Sequence, residues 1–106
     1  MQKFRDQDQI LITPAKAAEY MLRLFITGAA PNSIRAITNI KLICENHLQG
    51  KYVLGIIDLY DRADLAEQEQ VVAVPMLVID FPLPGRKLIG DMSNKIKVLE
   101  TLGLSL

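Results

Sequence analysis

The chain has 106 residues, half of them apolar and 23% charged, enough for one hydrophobic core and too few for two. Twelve basic residues balance twelve acidic ones, so the basic excess that gives nucleic-acid and anionic-membrane binding most of its affinity is missing. A single cysteine, Cys44, leaves no intramolecular disulfide and no Cys/His cluster for zinc.

Residues 1–9 (MQKFRDQDQ) are polar and of mixed charge, with no apolar stretch behind a basic start, so they do not read as a signal peptide. The longest apolar run, residues 71–79, falls well short of the roughly 20 residues that a spanning helix needs. A soluble cytoplasmic protein is expected. Residues 1–18 read as a flexible N-terminal extension and 19–106 as the folded body. Within the extension Ile10, Leu11 and Ile12 form a short apolar patch stopped by Thr13-Pro14. Docking on the body and docking on a neighbouring subunit are both open to it.

YMLRLFIT (20–27) is apolar except for Arg23 and Thr27, which suits a strand covered on both faces. Gly28 to Pro31 breaks the chain, and Asn32 or Ser33 can cap the helix that follows. Ile34, Ile37, Ile40, Ile43 and Cys44, spaced by three and four, predict one broad apolar helical face running to about His47. YVLGIIDLY (52–60) predicts a second buried strand. Asp61 and Asp64 can cap a short helix over DLAEQEQ. VVAVPMLVID (71–80) is strand-like with Pro75 inside it, the prolines at 82 and 84 with Gly85 make a turn, and RKLIGD (86–91) predicts a short strand. Residues 93–104 close the chain with helical spacing at Ile96, Leu99 and Leu102, although Ile96 and Val98 also alternate with Lys95 and Lys97 as a strand would.

The predicted order is βαβαββα. A long crossover makes the first two strands parallel, and the turn at 82–85 makes the last two an antiparallel hairpin. A mixed four-stranded sheet with helical cover is a single α/β domain of the thioredoxin-like kind. A proline has no ladder donor, so Pro75 marks the first residue of a strand or a special turn. Thioredoxin-like folds place a cis-proline at the start of the third strand, and the element order assigns Pro75 to it.

A thioredoxin-like enzyme needs a thiolate where the first strand meets the first helix, because the helix N-terminus lowers the thiol pKa. This chain has GAAPNS (28–33) there. Cys44 falls near the far end of the helix on its apolar face and reads as a small core residue. His47, the only histidine, reads as a surface residue at the helix end. Asp58 closes an apolar strand and reads as a hydrogen-bonding or capping group. No glycine pattern cradles a phosphate, and no cofactor is expected. The groups left for contact with a partner are Arg35, Arg62, Arg86 and Lys87, with Gly28, Cys44 and Pro75 as structural positions.

Three segments carry a resemblance. YMLRLFITGAAPNSIRA (20–36), YVLGIIDLYDRADLAEQEQVVAVPML (52–77) and GRKLIGDMSNKIKVL (85–99) resemble the opening, middle and tail of the KaiB clock-protein family. PNS-x-RA, LAE and IGD-[LM]-SN in this order are together specific. The N-terminal sensor domain of the histidine kinase SasA is similar as well.

The resemblance implies a non-enzymatic protein that binds a KaiC-like ATPase. A KaiA-like protein or a histidine kinase are further partners it suggests, with assembly as a homo-oligomer, dimer or tetramer, and with no nucleic-acid or membrane partner. It implies that Arg35 and Arg86 lie on the binding surface, with Lys87 beside them. It also implies a second, oligomeric arrangement of the chain after about residue 60, βαββααβ overall. Gly55, Gln70 and Ile79 stand where clock KaiB proteins carry lysines, so a surface built on those charges would be weaker here. ETLGL replaces the family's GLD-like segment, the acidic tail is missing, and an extension of about twelve residues is added. These departures imply a divergent member.

Overall fold

The computed structural model describes residues 10–12 and 18–104. The elements are β1 (Ile10–Ile12), β2 (Tyr20–Ile26), α1 (Pro31–His47), β3 (Tyr52–Asp58), α2 (Asp64–Gln68), β4 (Met76–Phe81), β5 (Arg86–Ile89) and α3 (Lys95–Thr101). From β2 onward this is the expected βαβαββα order. The strands form one sheet in the order β1-β3-β2-β4-β5, with β2 and β3 parallel and the other neighbours antiparallel. The strand added to the four expected is β1, the Ile10–Ile12 patch, which docks on the body along β3. The flexibility expected for the rest of the extension lies outside the described residues, except at Ala18.

The alternation of side chains along each strand divides the core in two. Leu22, Leu24, Leu54, Ile56, Leu77 and Ile79 face α1 and α3, where Ala36, Ile40, Cys44, Val98 and Leu99 meet them. Phe25, Ile57, Met76 and Val78 face the other way, under Leu59, Leu65, Val71 and Val74. Strands covered on both faces must be apolar at nearly every position, which is why β2, β3 and β4 read as continuous runs.

Helix ends depart from the expected caps. α1 begins at Pro31, whose fixed φ suits the first helical position and whose missing N–H would have had no partner there. Neither Asn32 nor Ser33 caps it. The buried Ser33 hydroxyl instead accepts from the Thr27 N–H at 3.2 Å and ties the incoming loop to the helix. α2 is only five residues long and has no side-chain cap from Asp61 or Asp64. Its stop is Gln70, at φ +55, where the Val71 N–H reaches back to the Ala66 carbonyl at 2.8 Å. That is the left-handed ending more often given to glycine, so composition did not reveal it. α3 is capped by the Asn94 side chain, which accepts from the Lys97 N–H at 3.1 Å.

Three further expectations are corrected. The strand expected over 71–80 starts only at Met76, because Pro75 donates nothing to the ladder; Val71 and Val74 pack half-buried beneath the sheet instead. The strand expected to reach Tyr60 ends at Asp58, whose carbonyl accepts from the Asp61 and Arg62 N–H groups and turns the chain. Ile34 and Ile96 are exposed, at 51% and 56%, so the buried stripe on α1 runs Ala36-Ile40-Ile43-Cys44 and that on α3 is Val98-Leu99, with Leu102 just beyond.

Candidate partner-binding surface

The C-terminal ends of β2 and β3 and the start of β4 meet at one end of the sheet, since Ile26 pairs with Asp58 and Phe25 with Met76. The Val74–Pro75 peptide is cis and stands at this end. Gly28 opens the turn into α1 at φ +54. One carboxylate oxygen of Asp58 accepts from the Gly28 N–H at 3.0 Å and from the Tyr60 N–H at 2.9 Å. Asp58 therefore locks two loops together, a hydrogen-bonding duty in line with its place at a strand end.

This is the place where a thioredoxin-like enzyme would hold its thiol, and the chain has Gly28-Ala29-Ala30-Pro31 there. Cys44 lies in the last turns of α1, fully buried, and burial pushes its thiol up to about 12. The helix dipole favours cations rather than a thiolate at that end. His47 is the exposed last residue of α1, as expected. Among the described residues no group of acidic, histidine and cysteine side chains could hold a metal ion.

The contact residues separate into distinct places. Arg35, on the second turn of α1, is exposed and its Nε donates to Asp91 Oδ2 at 3.0 Å. Asp91 also accepts from the Ser93 N–H at 3.0 Å, and its carbonyl accepts from Asn39 Nδ2 at 3.0 Å. Hydrogen bonding from Ser93 and then from Arg35 lowers the Asp91 pKa to about 2. Arg35 is thus held against the loop between β5 and α3.

Arg86 pairs in register with Ile79 and Lys87 with Val78, so the two leave β5 on opposite faces. Arg86, Lys87 and Leu88 of β5, with Lys97, Glu100 and Thr101 of α3, line an open depression. The Lys87 ammonium turns toward the end of α2, donating to the Glu69 carbonyl at 3.2 Å. Arg62 pairs locally with Asp64 through both Nε and an Nη, at 3.1 and 3.0 Å, and lowers that carboxyl's pKa. Of Gly55, Gln70 and Ile79, only Gln70 is exposed; Gly55 and Ile79 are buried.

Sequence reasoning missed one cluster. Arg23 of β2 is largely buried, and its guanidinium grips Asp80 of β4 through Nε at 2.6 Å and an Nη at 2.8 Å. The same guanidinium reaches Glu69 at 3.0 Å and lies 5.4 Å from the centre of the Phe25 ring. Hydrogen bonds and charge from Asp80 and Glu69 outweigh desolvation and raise the Arg23 pKa. The available signal was a lone cation in an apolar strand, with an acid at the end of the strand it pairs with.

Fold and junction together define a thioredoxin-like domain whose thiol position is occupied by a glycine-alanine turn. Crystal structures of thioredoxins carry the fold comparison: Fasciola hepatica thioredoxin superposes with a TM-score of 0.64 at 14% identity, covering 82% of this chain and 81% of that one. The N-terminal domain of Synechococcus elongatus SasA superposes with a TM-score of 0.66 at 25% identity, covering 84% of this chain and 88% of that one. The KaiB domain model matches residues 23–104. The circadian clock oscillator protein KaiB of Gloeothece citriformis is 44% identical over 87 residues, 82% of this chain and 80% of the relative. The KaiB of Synechococcus elongatus is also 44% identical over 87 residues, covering 83% of its own length. The chain belongs to the KaiB family.

Proposed function

We propose that this chain is a non-enzymatic, cytoplasmic KaiB-like protein that binds a KaiC-type ATPase and so modulates a clock, timing or stress-response system. The observation that carries the reading is the 44% identity to circadian clock oscillator proteins over four-fifths of the chain. The chemistry of the fold supports it. A thiol-disulfide enzyme would need an accessible thiolate at the β2–α1 turn, and the one cysteine is buried in α1 with its proton held.

Arg35, Arg86 and Lys87 are the partner-binding residues in this reading, with no cofactor. A KaiA-like protein or a histidine kinase is a further partner, the chain assembles as a homo-oligomer, and its second half has access to the family's alternative arrangement. No helix among the described residues is long and apolar enough to cross a membrane. The likeness to the SasA N-terminal domain favours a second reading, a free-standing sensor or adaptor domain that signals to another protein.

A pull-down with the KaiC-like ATPase of the same host tests the choice. Retention of the ATPase by the full chain is expected. Retention of a histidine kinase with no ATPase would replace the first reading by the second.

A further inference from the structure

The two edges of the sheet differ in their protection. β5 is four residues long, carries Arg86 and Lys87, and follows Pro82 and Pro84. Short length, charge and proline are what keep an edge from pairing with another chain. β3 has none of these until its last residue. Its first six residues read YVLGII, and Leu54, Gly55, Ile56 and Ile57 are all buried. With β2 on one side, such a strand would present a row of unpaired backbone N–H and C=O groups on the other. β1 lies there, running antiparallel, with Ile10 opposite Ile56, Leu11 opposite Gly55 and Ile12 opposite Leu54. It falls outside residues 23–104, which the KaiB domain model matches.

We propose that Ile10–Ile12 is a cover strand that keeps the edge of β3 from pairing with the same edge of a second copy of this chain. A second copy fits because antiparallel pairing of two identical strands is self-complementary about a two-fold axis. Centred on Gly55, it sets Leu54 against Ile56, Val53 against Ile57 and Tyr52 against Asp58. The whole of β3 is then paired, where β1 reaches only Leu54–Ile56. The centre of the contact is a glycine, so no side chain obstructs it. The cover prevails at ordinary concentrations because it is tethered: a short linker gives an effective concentration on the order of millimolar. A free copy at micromolar concentration competes poorly. The argument is independent of any ATPase partner.

The test uses full-length variants. Leu11→Pro and the double variant Ile10→Pro/Ile12→Pro together remove every N–H that β1 can donate. Leu11→Gly weakens the strand without removing a donor. Self-association is followed by sedimentation across a concentration series, and amide exchange at Leu54–Ile56 by NMR. In at least one proline variant, association rises tenfold or more over the unsubstituted chain. The Leu54–Ile56 amides exchange fast when dilute and become protected as concentration rises. Leu11→Gly moves both readouts the same way by less. Adding Val53→Lys to the associating variant guards the edge and returns the unsubstituted behaviour. Unchanged association in all of these variants overturns the proposal, and so does a rise that leaves the Leu54–Ile56 amides unprotected.

Discussion

The ring of Tyr60 lies directly over Gly28, so that a Cβ built on Gly28 would sit 2.8 Å from a ring carbon. Gly28 also has φ +54, a conformation that side chains resist. The two effects separate by mutation. Tyr60 is 77% exposed and its ring can swing away, so the backbone term dominates. Gly28→Ala is expected to cost about 1–2 kcal/mol. Adding Tyr60→Ala recovers only a minor part of that loss. Urea titration of the single and double variants measures both. Full recovery in the double variant would place the cost in the ring contact instead.

Arg23 joins β2 to β4 and to the end of α2 through Asp80 and Glu69. Its removal leaves two carboxylates facing each other, each about one-third exposed. Arg23→Met is expected to cost about 2 kcal/mol, less than a fully buried pair because water reaches both acids. Arg23→Lys recovers part of this, since an ammonium cannot make the two-pronged contact with Asp80. Equal stability of Arg23→Met and the unsubstituted chain, read from urea midpoints, would remove the cluster from the account.

Alkaline pH tests the interior. Burial raises the Cys44 thiol to about 12 from an ordinary 9.0. Burial and then the hydrogen bond to Glu45, made at 2.5 Å, also raise the Tyr52 hydroxyl. Above about pH 9 the unfolded chain releases protons that the folded chain retains, so stability falls as pH rises. Cys44→Ala flattens part of that fall between pH 9 and 11. Cys44 also resists alkylation until the chain unfolds, and insulin reduction shows no turnover. Turnover abolished by Cys44→Ser would contradict this.

Acid pH tests the loop that holds Arg35. Asp91 has its pKa lowered from 3.8 to about 2, so between those values the unfolded chain binds more protons than the folded one. The stability it contributes is present above about pH 4 and is lost as pH falls toward 2. Asp91→Asn is therefore less stable than the unsubstituted chain at pH 5, and the gap narrows at pH 3. A gap of constant size, by urea titration at the two pH values, would show that the charge on Asp91 is not involved.

Element order, the parallel first pair, the hairpin and the cis bond before Pro75 were legible because continuous apolar runs, a long crossover and a proline at the head of a strand constrain few topologies; the order of strands across the sheet was not. The ends of α1 and α2 were not. Pro31 and Gln70 act through backbone conformation, which neither polarity nor periodicity reports. Ile34 and Ile96 fit a helical spacing while lying outside the buried stripe, because spacing sets a face but not its width. Arg35, Arg86 and Lys87 were found as unassigned charges, yet only the register of β5 shows that Arg86 and Lys87 point apart. The Arg23 cluster needed the pairing of β2 with β4, a non-local fact. The Ile10–Ile12 patch was visible as apolar, and its dock on β3 was one of two possibilities the sequence left open.

Binding of a KaiC-type ATPase through Arg35 and Arg86 is the proposal that a binding measurement can decide. The most direct measurement is a titration of that ATPase with the full chain, Arg35→Glu and Arg86→Glu, at two salt concentrations. Charges at a contact rim act on association rate and salt dependence, and truncating a buried charged pair costs about 2–5 kcal/mol. The account predicts saturable binding that weakens tenfold or more in each variant and loses part of its salt dependence, with the folded spectrum unchanged. No binding by the unsubstituted chain, or the same affinity in both variants at both salt concentrations, would contradict it.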